Sequence, residues 1–240
     1  MLTVAQVDAF HTRGYVVVRG FLSESEIASY TEEAETLVNH CYELGDIVSK
    51  WGCVVEPFGC GYLDSIPHLA RTTQRSYLAT RAQITSAPAL CTLSKYGMCA
   101  RQLLEPSSVV LLNEQYVVKP PRSKAAFDWH QDVLYFKEEQ REHRIVSVWT
   151  PLCDVREENG TVLVDPFPDS LRPGVYPREP EPIAVEMDAG CALFMDGRLR
   201  HCSGANTSRE FRTAYMPQFS SGQISDDNGL TALAVPVNSD

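Results

Sequence analysis

Phe127-Asp128-Trp129-His130-Gln131-Asp132 sets an imidazole and a carboxylate two residues apart among aromatic neighbours. Successive side chains of an extended chain point to opposite faces, so in a strand His130 and Asp132 share one face. Two such groups can hold one metal ion once a third ligand arrives from elsewhere. The rest of the chain is then the scaffold that delivers it, and β structure is the first expectation.

The strongest β signals lie on both sides of this stretch. Val109-Val110-Leu111-Leu112-Asn113-Glu114-Gln115-Tyr116-Val117-Val118-Lys119 is rich in β-branched residues and is stopped by Pro120-Pro121. Further strand-like runs cover residues 145–150, 161–164, 191–195 and 211–216. Turn signals separate them at Glu158-Asn159-Gly160, Asp188-Ala189-Gly190 and Asp196-Gly197. The N-terminal part reads differently. Thr3 with Gln6 makes a capping box for a helix through about His11, and residues 14–20 form a short strand between glycines. Ser23 or Ser25 opens a second helix through about Cys41. A third is expected over residues 87–104, with Leu90, Leu93, Ser94, Met98 and Leu103 as its core face. Residues 44–75 are broken by glycine and proline but hold Trp51, Phe58, Tyr62 and Leu63, which suits a pocket wall. Together these predict a mainly β sandwich or barrel faced by helices, as one domain over residues 1–240, with a loosely held polar tail from Ser220.

Composition narrows the partners. A chain of 240 residues, 44% hydrophobic and 22% charged, can bury a sizeable core. A net charge of −10 and the lack of any basic run argue against nucleic acid. No apolar run approaches the roughly 18 residues of a membrane span. The eight cysteines form no Cys-x-x-Cys pair, and residues 1–8 lack the features of a signal peptide, so reduced thiols in the cytoplasm are expected. Oligomeric state leaves no mark on the sequence.

Six histidines compete for the role of third ligand. His11 and His40 fall in expected helices, His68 in the irregular segment, and His143 after the charged run of residues 137–142. His201 differs: it follows Phe194-Met195-Asp196-Gly197 and precedes Cys202-Ser203-Gly204, where a bend beyond a core strand would turn it inward. Two histidines and a carboxylate suit non-haem Fe(II) with positions left open, and zinc accepts the same donors. Arg212 opens the last strand, eleven residues on. A buried guanidinium needs an anionic partner, and its planar fork suits a carboxylate. Arg81 and Arg101 read as surface residues.

The ordered set resembles the phytanoyl-CoA dioxygenase family of Fe(II)/2-oxoglutarate oxygenases. Lys119-Pro120-Pro121, Trp129-His130-Gln131-Asp132 with Tyr135-Phe136, Val148-Trp149-Thr150, Glu158-Asn159-Gly160 and residues 201–212 carry the resemblance. Gly14-Tyr15-Val16-Val17 and Gly20-Phe21-Leu22-Ser23 extend it to the N-terminus, so it covers about residues 3–219, thinly between 44 and 108. The resemblance implies a double-stranded β-helix, or jelly roll, with metal ligands near one open end. It implies Fe(II) on His130, Asp132 and His201, and 2-oxoglutarate held at its distal carboxylate by Arg212 with help from Ser203. It also implies a co-substrate pocket lined by Gln115 and Trp149, with O2 as the other co-substrate. Lys119 stands where the family often has a lysine. The implied reaction is hydroxylation of an unactivated carbon in a small molecule such as a secondary metabolite, with release of succinate and CO2. The same iron site also serves desaturation, cyclisation or epimerisation in natural-product biosynthesis, and a jelly roll that only binds is the non-catalytic alternative. Halogenating relatives carry a small residue in place of the carboxylate, so Asp132 argues against halogenation. One departure stands out. Where the family often continues into a Pro-Gly-Ser-His-like turn, this chain has Asp165-Pro166-Phe167-Pro168-Asp169, which points to altered substrate choice at the mouth of the site.

Overall fold

Reciprocal caps start the two N-terminal helices. Thr3 caps α1 (Val4–Arg13) and Ser23 caps α2 (Glu24–Leu44), and in each the side chain of Gln6 or Glu26 returns to the cap's own amide. Between them runs β1 (Tyr15–Val18). Gly14 ends α1 at φ 79°, and a Cβ there would meet the Phe167 ring at 2.7 Å, so only glycine fits. The computed structural model describes residues 1–63, 73–104, 109–167, 182–224 and 233–237.

The irregular segment contains α3 (Ile47–Trp51) and β2 (Val54–Val55), and α4 (Gln74–Arg81) follows it. His68 and the stretch around it lie outside the described residues, as do Pro168, Asp169 and most of the polar tail. The expected third helix is three pieces: α5 (Ser86–Cys91), a π-helical turn over Thr92–Tyr96, and α6 (Gly97–Leu104). The wide turn breaks the 3.6-residue period. Leu93 and Leu103 are buried as expected, but Leu90 and Ser94 are exposed and Met98 half-buried, while Tyr96, Cys99 and Ala100 fill the core.

Among the described residues nine more strands build the sheets: β3 (Val109–Lys119), β4 (Phe127–His130), β5 (Ile145–Pro151), β6 (Val162–Asp165), β7 (Ile183–Ala184), β8 (Ala192–Asp196), β9 (Arg200–Ser203), β10 (Arg212–Ser220) and β11 (Val235–Val237). The larger sheet runs β1-β8-β5-β10-β3-β11 with β2 added to β3, and the smaller runs β4-β9-β6-β7. Every pairing is antiparallel. This is a mixed α/β fold with two antiparallel sheets, typical of double-stranded β-helix proteins. Among the described residues neither sheet closes into a barrel, so of the expected sandwich or barrel faced by helices the two-sheet arrangement holds, within a fold that is mixed α/β and not mainly β.

Alternation on the central strands separates two environments. On β5 every residue is buried, yet Thr150 accepts a hydrogen bond from Tyr96 of the helical layer while Trp149 lines a cavity on the opposite side. On β3, Asn113, Gln115 and Val117 line the same cavity, and Glu114 and Tyr116 face the helices. Arg81 belongs to that helical side, which corrects its expected surface placement. It is fully buried, with Nε donating to Glu114 at 2.7 Å and its terminal nitrogens donating to Glu33 at 2.5 Å. Its partners come from α2 and β3, far away in sequence, so local pattern could not reveal them. Arg101 is half-buried and donates to the Val237 carbonyl at 2.9 Å.

Candidate active site

The register of β4 against β9 sets His130 directly opposite His201, with ring centroids 4.2 Å apart. His201 therefore sits within a strand, not in the expected bend. Arg-His-Cys-Ser lacks the β-branched signature that would announce such a strand. Asp132 lies just beyond β4, where it opens a 3₁₀ turn. Gln131 keeps an extended backbone (φ −127°, ψ 130°), so the two-residue alternation survives and Asp132 returns to the face of His130.

Hydrogen bonds fix what each ligand offers. His130 Nδ1 lies 2.7 Å from the Asp128 carbonyl and His201 Nδ1 lies 3.0 Å from that of Leu199. A carbonyl only accepts, so both Nδ1 atoms carry the hydrogen and both Nε2 lone pairs face inward. Each Nε2 is 3.6 Å from Asp132 Oδ1, and the three donor atoms lie within 4.8 Å of one another. Asp132 Oδ2 is already engaged, accepting from Ser147 Oγ and from Gln218 Nε2 at 3.2 Å, while Gln218 also donates to Ser147 at 3.0 Å. One carboxylate oxygen thus remains for a metal. Burial pushes the His201 pKa down, which keeps the ring in the neutral form that ligation requires. Two neutral nitrogens and one oxygen on one point suit a divalent ion such as Fe(II).

The triad opens on a cavity of about 350 Å³ that Gln115, Trp149, Ser203 and Arg212 also line. The structure therefore brings together all seven residues singled out from the sequence. Arg212 is buried, stacks its guanidinium 5.3 Å from the Trp149 ring centroid and donates to the Val117 carbonyl at 3.1 Å. Among the described residues its Nε has no hydrogen-bond partner and no carboxylate pairs with it. Burial lowers its pKa to about 10, the mark of a cation held without an anion. An unpaired buried fork beside a metal site fits a carboxylate that also reaches the metal.

Sequence reasoning missed Gln218, Asn113, Phe127 and Val54 at this cavity, and Ser147, which holds Asp132 from behind it. Alternation from Trp149 would have found Ser147, and alternation from Arg212 would have found Gln218. Val54 supplies part of the wall expected from residues 44–75. Tyr135 and Phe136 border the cavity, whereas Trp129 is 36% exposed with the Arg200 guanidinium 5.8 Å from its ring. Of the divergent loop, Asp165 is buried and paired with Arg200 at 3.7 Å. No described helix is long and apolar enough to cross a membrane, and all eight cysteines are free.

Comparison with known proteins bears on the whole chain. The sequence model of the family described as phytanoyl-CoA dioxygenase (PhyH) matches residues 10–214. The peroxisomal phytanoyl-CoA dioxygenase of Mus musculus is 22% identical over 243 residues, covering 92% of this chain and 69% of that protein. Among solved structures, the α-ketoglutarate-dependent carbocyclase SnoK from nogalamycin biosynthesis superimposes with a TM-score of 0.69 at 19% identity, over 95% of this chain and 88% of that one. The epimerase SnoN, in complex with Fe3+, α-ketoglutarate and nogalamycin RO, gives 0.64 at 21% identity, over 90% and 82%. His130, Asp132 and His201 form the facial triad of a non-haem Fe(II)/2-oxoglutarate-dependent enzyme. The family match spans every strand that carries a ligand, and the chain belongs to the phytanoyl-CoA dioxygenase family.

Proposed function

We propose that this enzyme uses Fe(II), 2-oxoglutarate and O2 to remove hydrogen from an unactivated carbon of a small natural-product molecule. The net outcome we favour is ring closure, desaturation or epimerisation. Arg212 carries the cofactor assignment: a buried guanidinium with an unpartnered Nε shares one cavity with the triad. A carbocyclase and an epimerase among the similar structures support the outcome. Hydroxylation, placed first from the sequence, is the second reading, favoured by the mammalian relative named as a dioxygenase.

His130 Nε2, His201 Nε2 and Asp132 Oδ1 would hold the metal. Bound iron with its co-substrates supplies oxidative decarboxylation to succinate and CO2, and with it the power to break a strong C–H bond. Arg212 would take the distal carboxylate in its planar fork, and Ser203 would give that carboxylate a hydroxyl hydrogen bond. Gln115 and Trp149 would wall the co-substrate, while Val117, Met195 and Met216 keep the cavity dry. Tyr135, 72% exposed, stands at the mouth where a substrate would enter.

Anaerobic addition of 2-oxoglutarate to iron-loaded protein should give a weak visible charge-transfer band, absent in His201→Ala. Folded, iron-loaded protein that gives no band sinks the assignment. Product mass then separates the outcomes. Hydroxylation adds one oxygen, ring closure or desaturation removes two hydrogens, and epimerisation leaves the mass unchanged.

A further inference from the structure

Among the described residues, Lys119 is the buried cation near the cavity that the scheme above leaves without a task. It ends β3 directly across from Arg212 on β10, so the two side chains share a face. Like charges directly opposite on paired strands repel, and both side chains are buried. Among the described residues neither has a carboxylate partner. Such a pair is costly in a fold that uses it only as scaffold.

The contacts of Lys119 show what the cost obtains. Its Nζ lies 2.7 Å from Ser203 Oγ and 3.3 Å from the Ser203 carbonyl, and it also reaches the Gly204 carbonyl. An ammonium has three hydrogens, and here each has an acceptor. A hydroxyl has one hydrogen and two lone pairs. With Lys119 donating into Ser203 Oγ, that oxygen serves as acceptor on the protein side and its own hydrogen is free to point elsewhere. Ser203 borders the cavity beside Arg212. The turn beyond it is fastened as well, since Asn206 Nδ2 donates to the carbonyls of Lys119 at 2.9 Å and Glu210 at 2.8 Å.

We propose that Lys119 is a positioning residue for the distal carboxylate of the co-substrate, acting through Ser203: its ammonium orients the serine so that the hydroxyl hydrogen is presented to the carboxylate that Arg212 pairs with. The inference rests on 2-oxoglutarate being the co-substrate. Lys119 is not itself among the residues that line the cavity; it reaches the cavity's edge through Ser203.

The test compares two 2-oxo acids on Fe(II)-loaded protein under nitrogen, by titration calorimetry at about pH 6, where Lys119 is an ammonium. 2-Oxoglutarate has the distal carboxylate, and 2-oxobutanoate has the same metal-binding head without it. Lys119→Met and Ser203→Ala should each weaken 2-oxoglutarate by about tenfold or more. Both should leave 2-oxobutanoate within about twofold, and Ser203→Ala should cost nothing further in the Lys119→Met background. An unchanged 2-oxoglutarate affinity in Lys119→Met overturns the proposal. So does equal loss of both acids, which marks a merely structural lysine, or a serine effect undiminished in the double variant. If Lys119→Met does not fold, Ser203→Ala and Ser203→Thr decide. Selective loss in the first and recovery in the second support the role, and full 2-oxoglutarate binding by Ser203→Ala overturns it. A wild-type protein that binds 2-oxobutanoate but gains nothing from the distal carboxylate also overturns it. One that binds neither acid removes the co-substrate assignment itself, a distinct failure.

Discussion

Asp132 has two oxygens with different tasks, and Ser147 enforces the difference. With Oδ2 held by Ser147 and Gln218, the carboxylate cannot swing to offer both oxygens to a metal. Partners of this kind are worth roughly 10–100-fold in metal affinity. Ser147→Ala should therefore weaken Fe(II) or Zn(II) binding by about that factor, read by competition with a chelator, with little change in the melting temperature. Lys119 gives a second prediction, this time for stability. Burial, reinforced by Arg212 opposite, pushes its pKa down to about 7, below the roughly 10.4 of an unfolded lysine. Between those values the unfolded chain binds the extra proton, so stability rises with pH from about 7. Thiols act in the opposite sense. Burial raises Cys53 and Cys99 in the fold, so the unfolded thiols ionise first and stability falls once pH passes about 8.5. Cys53, Cys202 and Arg212 are the titratable or charged groups acting on Lys119. Urea midpoints of metal-free protein should climb from pH 7 to about 8.5 and then decline, and Lys119→Met should lack the climb. At this scale the ligands were legible because spacing and order survive in sequence. Ser147 and Gln218 were not, since their roles depend on which face of a strand meets which neighbour.

At the scale of elements, the site depends on a few short strands keeping register. A slip of one residue between β4 and β9 would carry His201 to the far face and dismantle the triad. The turn before β6 guards that register. Gly160 has φ 79°, and a Cβ there would fall 2.6 Å from the Gly204 carbonyl oxygen and 3.1 Å from that of Ala205, just beyond β9. Both obstacles are backbone and cannot rotate aside. Gly160→Ala should cost about 1–3 kcal/mol through strain and displacement of the β9 end. A lowered urea midpoint together with weaker metal binding would show it, and an unchanged midpoint would refute it. Long strands such as β3 and β5 announced themselves through runs of β-branched residues. The strands β7, β9 and β11 did not, because strands of two to four residues gain their structure from the neighbours they pair with. The π-helical turn was invisible for a related reason: no composition marks the place where a helix widens to fit the core beneath it.

At the scale of the whole molecule, the larger sheet has the cavity on one face and a helical layer locked onto the other. Helices covering the β core are expected from the sequence, but the lock between them is polar, and Arg81, the member singled out there, reads as surface. Arg81 of α4 joins Glu33 of α2 to Glu114 of β3, and two tyrosines extend the cluster: Tyr116 donates to Glu33 at 2.7 Å and Tyr215 to Glu114 at 2.6 Å. One cation faces two carboxylates in a dry interior, and burial raises the Glu33 pKa despite the guanidinium beside it. Removing the cation alone would leave two carboxylates buried without it, and loss of one partner of a buried ion pair costs about 3–5 kcal/mol. Arg81→Leu should therefore lower stability by that order. Because Glu114 and Tyr116 sit on the face of β3 turned away from Asn113, Gln115 and Val117, the damage should stay on the helical side. The folded fraction of Arg81→Leu should bind metal and 2-oxoglutarate as the wild type does. A loss of binding in step with the loss of stability would show instead that the two faces of the sheet are coupled. Glu33→Gln with Glu114→Gln in the Arg81→Leu background should recover much of the stability by removing the stranded charges. If it does not, hydrogen-bond geometry and not charge holds the helical layer in place.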